Sequence, residues 1–316
     1  MKTLVRVGIV TFGLLSIISF TISLTLVRDI YTQVAGGEST RPSYHFSLYL
    51  PDNRNSFFME IISGAERAAA EVGAVLSIHS IDPYLNELEM ASYTGVDGVV
   101  VCPYLDDGLA RRQLEKLTAK QIPVVLINHN VPNDQPWPFI GTNNFDVGRK
   151  LGTIAGRIVK EAVNLAVVYS DKAPGIAGER ELVEMGIASA LAGRMAAPIM
   201  GLRTSRNPLD AEEIIIGLFR SSPQVNTIIF TDTNDTIAAA QVLIDMNLVG
   251  HVQLIGFGDD PMIIEFIRKG IIAGTIAVNP ERIGYEAIHS LFNLRTTGYT
   301  STSIDTGVDI VDRTSL

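Results

Sequence analysis

The chain has 316 residues, about twice an ordinary single domain, which predicts two lobes and an appendage. A composition 47% apolar and 19% charged excludes a disordered chain, and a formal net charge of -9 without a cluster of Lys and Arg excludes nucleic acid as a partner. The single cysteine, Cys102, excludes an internal disulfide and a thiolate zinc cluster; no metal and no cofactor is expected.

Residues 1–28 predict a membrane anchor. The run from Val7 to Val27 has no charge and is long enough as a helix to cross roughly 30 Å of hydrocarbon. Lys2 and Arg6 precede it and Arg28 follows, so the positive-inside tendency leaves the N-terminus in the cytoplasm and the rest of the chain outside. The alternative is a cleavable signal peptide, whose apolar core normally runs about 7–15 residues. No cysteine near this end allows lipid attachment. Residues 29–43, polar and rich in Gly, Ser and Thr, read as a flexible tether.

From Tyr44 onward short β-rich runs alternate with amphipathic stretches. HFSLYL at 45–50 leads to a helix over 57–72, AVLSIH at 74–79 to a helix over 84–93, GVVVC at 98–102 to a helix over 107–120, and PVVLIN at 123–128 to a loop. A second series follows, with helices over 144–161, 178–191, 211–220 and 235–246 and strands at 165–170, 198–202, 227–231 and 252–257. This order predicts parallel sheets with right-handed crossovers, and the unbroken apolar strands predict sheets covered on both faces. Val96 to Val101 and Val225 to Phe230 share a pattern and the same succession of elements. A duplicated lobe plan is the economical reading, shared α/β grammar the other.

Ligands of open parallel sheets bind beyond the carboxyl ends of the strands. Asn55, Phe57 and Phe58 follow the first strand, Cys102 the third, and Asn128 and His129 the fourth. The second series contributes Asp171 and Lys172, Arg203 to Arg206, Asp232 to Asp235, and Gly258 to Asp260. Planar amide, carboxylate and guanidinium groups bond to hydroxyls and aromatic faces cover C–H patches, so the set suits a sugar. Each residue also has a plainer reading. Asn55 or Ser56 would cap a helix, the two phenylalanines would be core, Asp259 and Asp260 would cap the helix opened by Pro261, Asn234 and Asp235 would open another, Cys102 would be a small buried hydrophobe, and His129 a solvated loop residue. No phosphate loop, H-E-x-x-H or G-x-S-x-G is present and the five histidines are scattered, so catalysis is not expected.

An ordered series of motifs carries a family resemblance: Asn55-Ser56-Phe57-Phe58 with Gly64-Ala65-Glu66, Val96-Asp97-Gly98, Pro123-Val124-Val125, Ile140-Gly141-Thr142-Asn143-Asn144 with Gly148, Thr233-Asn234-Asp235-Thr236, Leu254 to Asp259, and Ile271 to Gly284. From about Tyr44 to its end the chain resembles the type I periplasmic binding proteins, most nearly their ribose- and galactose-binding branch, whose fold is shared by the ligand domain of lactose-repressor-type regulators. An apolar segment stands where a repressor's helix-turn-helix would be.

The resemblance implies two similar doubly wound parallel-sheet α/β lobes joined by a three-crossover hinge near 141–143, 278–280 and 306–308, after the one N-terminal transmembrane helix. Residues 44–142 plus 279–307 would form lobe 1, and 143–278 plus 308–316 lobe 2. Asn55, Phe57 and Phe58 match the sugar-contacting asparagine and stacking aromatics, Asn234 matches a second-lobe asparagine, and Cys102 falls where ribose binders carry an asparagine. Four departures remove much of the ribose-specific charge. Asn128-His129 replaces an Asp-Arg exit; Val183 stands at the helical arginine position, with Arg180 a turn earlier; Gly258 displaces Asp259 by one residue; and Val278, followed by Asn279, replaces a hinge glutamine. The expected function is an extracytoplasmic solute-binding protein that captures a small polar ligand, a monosaccharide first, for an ABC-type importer. The alternative is a membrane-anchored sugar sensor reporting to a histidine kinase or chemoreceptor.

Overall fold

The structure, a computed structural model, describes residues 16–25, 44–51, 56–81, 87–103, 106–171, 176, 179–205, 207 and 209–316. The chain divides into two units, residues 1–43 and 44–316. In the first, residues 16–25 form a helix, α1, whose Ile17, Ile18, Phe20, Ile22 and Leu24 are exposed. Its hydroxyls turn back onto its own backbone: Thr21 Oγ1 donates to the Ile18 and Ile17 carbonyls at 2.9 and 3.0 Å, and Thr25 Oγ1 to those of Ile22 and Thr21 at 2.9 and 3.1 Å. The rest of the expected span, and the tether at 29–43, lie outside the described residues. Among the described residues no helix is long and apolar enough to cross a membrane.

The second unit holds two six-stranded sheets. The first contains β1 (Tyr44–Leu50), β2 (Ala74–Ser80), β3 (Gly98–Val101), β4 (Val124–Ile127), β5 (Phe139–Gly141) and β11 (Ser303–Asp305), in the order β11-β5-β4-β3-β1-β2. The other contains β6 (Leu165–Ser170), β7 (Met200–Thr204), β8 (Thr227–Phe230), β9 (Gln253–Phe257), β10 (Gly274–Val278) and β12 (Val308–Asp312), in the order β12-β10-β9-β8-β6-β7. Both follow one doubly wound plan, parallel throughout except for the β10–β12 pair. The central strands β3, β4, β6 and β8 are buried along their whole length, because helices cover both faces of each sheet.

On lobe 1 those helices are α2 (Ser56–Glu71) and α10 (Pro280–Thr297) on one face and α3 (Glu87–Ala91) and α4 (Asp107–Ala119) on the other. On lobe 2, α5 (Asn144–Ile158) and α6 (Arg180–Ala190) cover one face, and α7 (Asp210–Ser221), α8 (Thr233–Asp245) and α9 (Pro261–Lys269) the other. The chain passes from one sheet's layers to the other's three times: between β5 and α5, between β10 and α10, and between β11 and β12.

Two helix entries repeat across the lobes. Asn143 caps α5, accepting from the Phe145 and Asp146 N–H groups, and Asn279 caps α10, accepting from Arg282 N–H. Five residues beyond each cap stands a glycine, Gly148 or Gly284, pressed against the neighbouring helix: a Cβ at Gly148 would overlap the Val183 carbonyl of α6, and one at Gly284 the Ile61 carbonyl of α2.

The elements differ from the sequence expectation in a few places. The helix expected to reach 93 ends at Ala91, and its expected first residues, 84–86, lie outside the described residues. The helix expected to reach 161 ends at Ile158, where Val159 turns extended at ψ 119°. The strand expected at 198–202 runs instead over Met200–Thr204, clear of Pro198, which has no N–H to give a ladder. The loop expected after β4 contains β5, whose three residues are too few for a readable alternation.

Candidate functional site

A pocket of about 300 Å³ lies between the two sheets' layers. Lobe 1 lines it with Ser56, Phe57 and Glu60 from the first turns of α2, and lobe 2 with Thr233 at the start of α8 and the exit of β9 from Phe257 to Pro261. Val278 and Pro280, either side of Asn279 in the second crossover, close its root. The volume sits at the lower end of small-molecule sites.

Two aromatic rings reach this pocket from opposite lobes. Phe57 is half-buried, its ring edge-on to Phe58 at 5.3 Å between centroids, while Phe257 ends β9 and is 9% exposed. Phe58 turns the other way and is buried in the core of lobe 1 beside Ile61 and Ala65. Two adjacent phenylalanines on a helix point about 100° apart, so one serves the core and the other the pocket.

The carboxylates gather at the mouth. Gly258 takes φ +90°, donating its N–H to Ile276 O at 2.8 Å and accepting from Thr275 Oγ1 at 2.8 Å, and Thr233 fills the space a side chain there would need. Asp259 emerges from this turn exposed, and Asp260 caps α9 through Met262 N–H at 2.8 Å. Burial raises Glu60 above its ordinary carboxyl value, and the charges of Asp259 and then Glu281 add to the effect.

Cys102, Asn128 and His129 meet at the carboxyl edge of the lobe 1 sheet. Asn128 Nδ2 lies 4.0 Å from the Cys102 sulfur, and burial pushes that thiol up to about 12, so it stays neutral. His129 Nε2 is 2.8 Å from Asp107 Oδ1. In lobe 2 the strand ends are cross-tied by buried groups: Thr204 Oγ1 donates to Asp235 Oδ2 at 2.6 Å, Ser170 N–H to Thr231 Oγ1 at 3.2 Å, and Asp232 caps α8 through Asp235 N–H at 3.0 Å.

The residues expected to bind therefore part into groups. Phe57, Asp259 and the Asn279 crossover come together at the pocket. Asn234, exposed, follows the pocket-lining Thr233 on α8. Asn279 spends its side-chain oxygen on the α10 cap at 2.8 Å, and Asn55 lies outside the described residues. Arg180 stands elsewhere: it pairs with Glu184 at 2.7 Å, lies over the Tyr169 ring, and borders a separate hollow of about 530 Å³. Among the described residues that larger hollow is lined by Glu179, Arg180, Glu181, Leu182 and Glu184, all from lobe 2, so the pocket walled by both lobes is the better candidate. Thr233 lay within the flagged Asp232 to Asp235 exit, whereas Glu60, Phe257 and Asp107 were not singled out as site residues from the sequence. Glu60 follows Phe57 at the spacing that shares a helix face, and Phe257 adjoins the flagged exit, so these two had a local signal.

The model of the periplasmic binding protein domain matches residues 46–298, and the fold and pocket define a two-lobed binding protein of the type I class. The chain belongs to the periplasmic binding protein domain family. GanP, a glucose-galactose binding protein from Geobacillus stearothermophilus, shares the fold at 24% identity and TM-score 0.76, over 86% of this chain and 98% of that one. A carbohydrate transporter solute-binding protein from Agrobacterium radiobacter in complex with D-arabinose does so at 17% identity and TM-score 0.73, over 87% and 96%. The XylFII-LytSN complex does so at 22% identity and TM-score 0.73, over 86% and 99%. No curated protein sequence matches the chain.

Proposed function

We propose that the chain is an extracytoplasmic solute-binding protein that takes a monosaccharide between its lobes and presents it to an ABC-type importer. The observation that carries this reading is the pocket with Phe57 on one lobe and Phe257 on the other, apolar faces for a sugar ring with carboxylates at its mouth for the hydroxyls. A ligand touching both lobes binds the closed arrangement better and so shifts the population toward it. Asn55 and Asn234 are assigned as amide partners of the hydroxyls. The test is a thermal-shift screen of the chain against monosaccharides, polyols, nucleosides and amino acids, since a ligand of the folded state raises its stability as RT ln(1 + [L]/Kd). One sugar giving a saturable shift is the expected result; a flat response to every sugar sinks the reading.

A second reading is favoured by the N-terminal segment. The uncharged run from Val7 to Val27, with threonine hydroxyls in α1 already bonded to their own backbone, suits a retained anchor, and a tethered binding protein suits a sensor. XylFII, of the same fold, is found in a complex with LytSN. Fractionation separates anchoring from cleavage: an anchored chain stays with the membrane after a high-salt wash and leaves it when residues 1–43 are deleted.

A further inference from the structure

We infer that Glu60 of lobe 1 and Asp259 of lobe 2 form a carboxylate pair across the cleft that takes up a proton when the lobes close on a neutral sugar. The sugar is then held more tightly as pH falls. This rests on the cleft being the binding site and adds the regulation of that site by pH.

The ionisable groups among the pocket's described lining residues are Glu60, Asp259 and Asp260. Glu60 stands on α2 three residues after Phe57, and the two aspartates lead into α9 on the other lobe. The charged groups that act on Glu60 are Asp259, from the turn between β9 and α9, and Glu281, from the first turn of α10. Asp260 is occupied as the α9 cap, accepting from Met262 N–H. Arg67 of α2 pairs with Glu281, and Arg282 of α10 lies 3.7 Å from Glu286, so both cations are engaged by other carboxylates. Glu60 and Asp259 are both exposed in this arrangement and solvent screens them, yet burial and then these charges already hold Glu60 above its ordinary 4.5.

The backbones that carry the pair are fixed. The turn before Asp259 is tied to β10 by Gly258 N–H on Ile276 O and by Thr275 Oγ1 on Gly258 O, both at 2.8 Å. On the other lobe α2 is locked to α10 where Gly64 and Gly284 cross. Closure over a sugar brings these two supports together, excludes solvent between the carboxylates and lowers the local dielectric. Both changes penalise the doubly ionised pair, and a proton on one member removes the penalty. The closed form then binds that proton more tightly than the open form. By linkage, affinity for the sugar rises as pH falls through the closed-form value of the group and levels off below its open-form value.

The test is titration calorimetry of the full-length chain in detergent micelles with D-glucose, D-galactose, D-xylose and D-arabinose. Each sugar is titrated at pH 5, 6 and 7.5, in two buffers of different ionisation enthalpy, so that the buffer dependence of the heat counts the protons exchanged. The expected result is net uptake of roughly half a proton per sugar at pH 6, with affinity about tenfold higher at pH 5 than at pH 7.5. Glu60→Gln, which holds the uncharged form at every pH, should abolish the uptake and make the affinity independent of pH. Asp259→Asn removes the opposing charge and should shrink both the uptake and the pH dependence, leaving the α9 cap at Asp260 in place. A sugar that binds with equal affinity at pH 5 and pH 7.5 and with heat independent of the buffer overturns the pair and leaves the cleft reading intact. Full uptake retained in both variants does the same. Should all four sugars fail to bind at every pH, the cleft reading and the pair fall together.

Discussion

Gly64 of α2 and Gly284 of α10 meet where the two helices cross, each against a carbonyl oxygen of the other helix, Glu281 for Gly64 and Ile61 for Gly284. Gly186 of α6 and Gly148 of α5 make the same crossing in lobe 2, against Phe145 and Val183. The obstacle in each case is backbone, which cannot swing aside as a side chain would. Alanine at any of the four positions should cost about 1–3 kcal/mol by forcing the helices apart, read as a lowered urea midpoint with unchanged slope. Gly217, with open space around it, is the control and should tolerate alanine.

Phe57 and Phe58, adjacent in sequence, should fail in different ways. Phe58→Ala empties a site in the lobe 1 core and should cost about 3–5 kcal/mol of stability. Phe57→Ala removes a pocket wall, and its main effect should be on sugar affinity, about tenfold, in isothermal titration. Equal stability losses with no change in affinity would remove Phe57 from the site.

Glu60 sets a pH dependence whose sign follows from its neighbours. Its folded value is raised above the ordinary 4.5 by burial, then by Asp259 and Glu281, so the native state binds the proton more tightly than the unfolded chain. Its contribution is favourable below the unfolded value and is lost as pH rises through the folded one. Glu60→Gln should therefore raise the urea midpoint at pH 7 and leave it nearly unchanged at pH 3.

Asn143 and Asn279 should behave as a matched pair. Each caps the helix that enters a lobe from a crossover, so alanine at either should cost about 1 kcal/mol in urea unfolding, and Asp, which keeps the acceptor, should cost less.

What was legible in the sequence was what repeats locally. The apolar runs of β3, β4, β6 and β8 announced buried parallel strands, and the Asn-to-Gly spacing of 143–148 and 279–284 lay within motifs that pointed to the family. β5 was too short to show a period. The site was legible as strand exits and no further. Asp107 and His129 are 22 residues apart and only the fold joins them. Glu60 matters through its burial in the cleft, then through charges on the opposite lobe and on α10. Arg180 was proposed from its place near a family position; its guanidinium pairs with Glu184 one helical turn on, a spacing visible in the sequence, and lies over the Tyr169 ring of β6, a contact that only the packing of α6 supplies.

The β11–β12 connection alters how the lobes can move. Asp305 Oδ1 accepts the backbone N–H of Asn143 at 3.3 Å and of Gly307 at 2.9 Å, and Thr306 N–H reaches Gly141 O at 2.9 Å, so the first and third crossovers are laced into one strap. The second crossover, at Asn279, remains the other point of attachment. Two attachments define a line, and relative motion of the lobes is thereby reduced from free swivelling to one angular degree of freedom about an axis from the strap to Asn279. Rotation of one lobe against the other about that axis is torsion in a handful of backbone dihedrals.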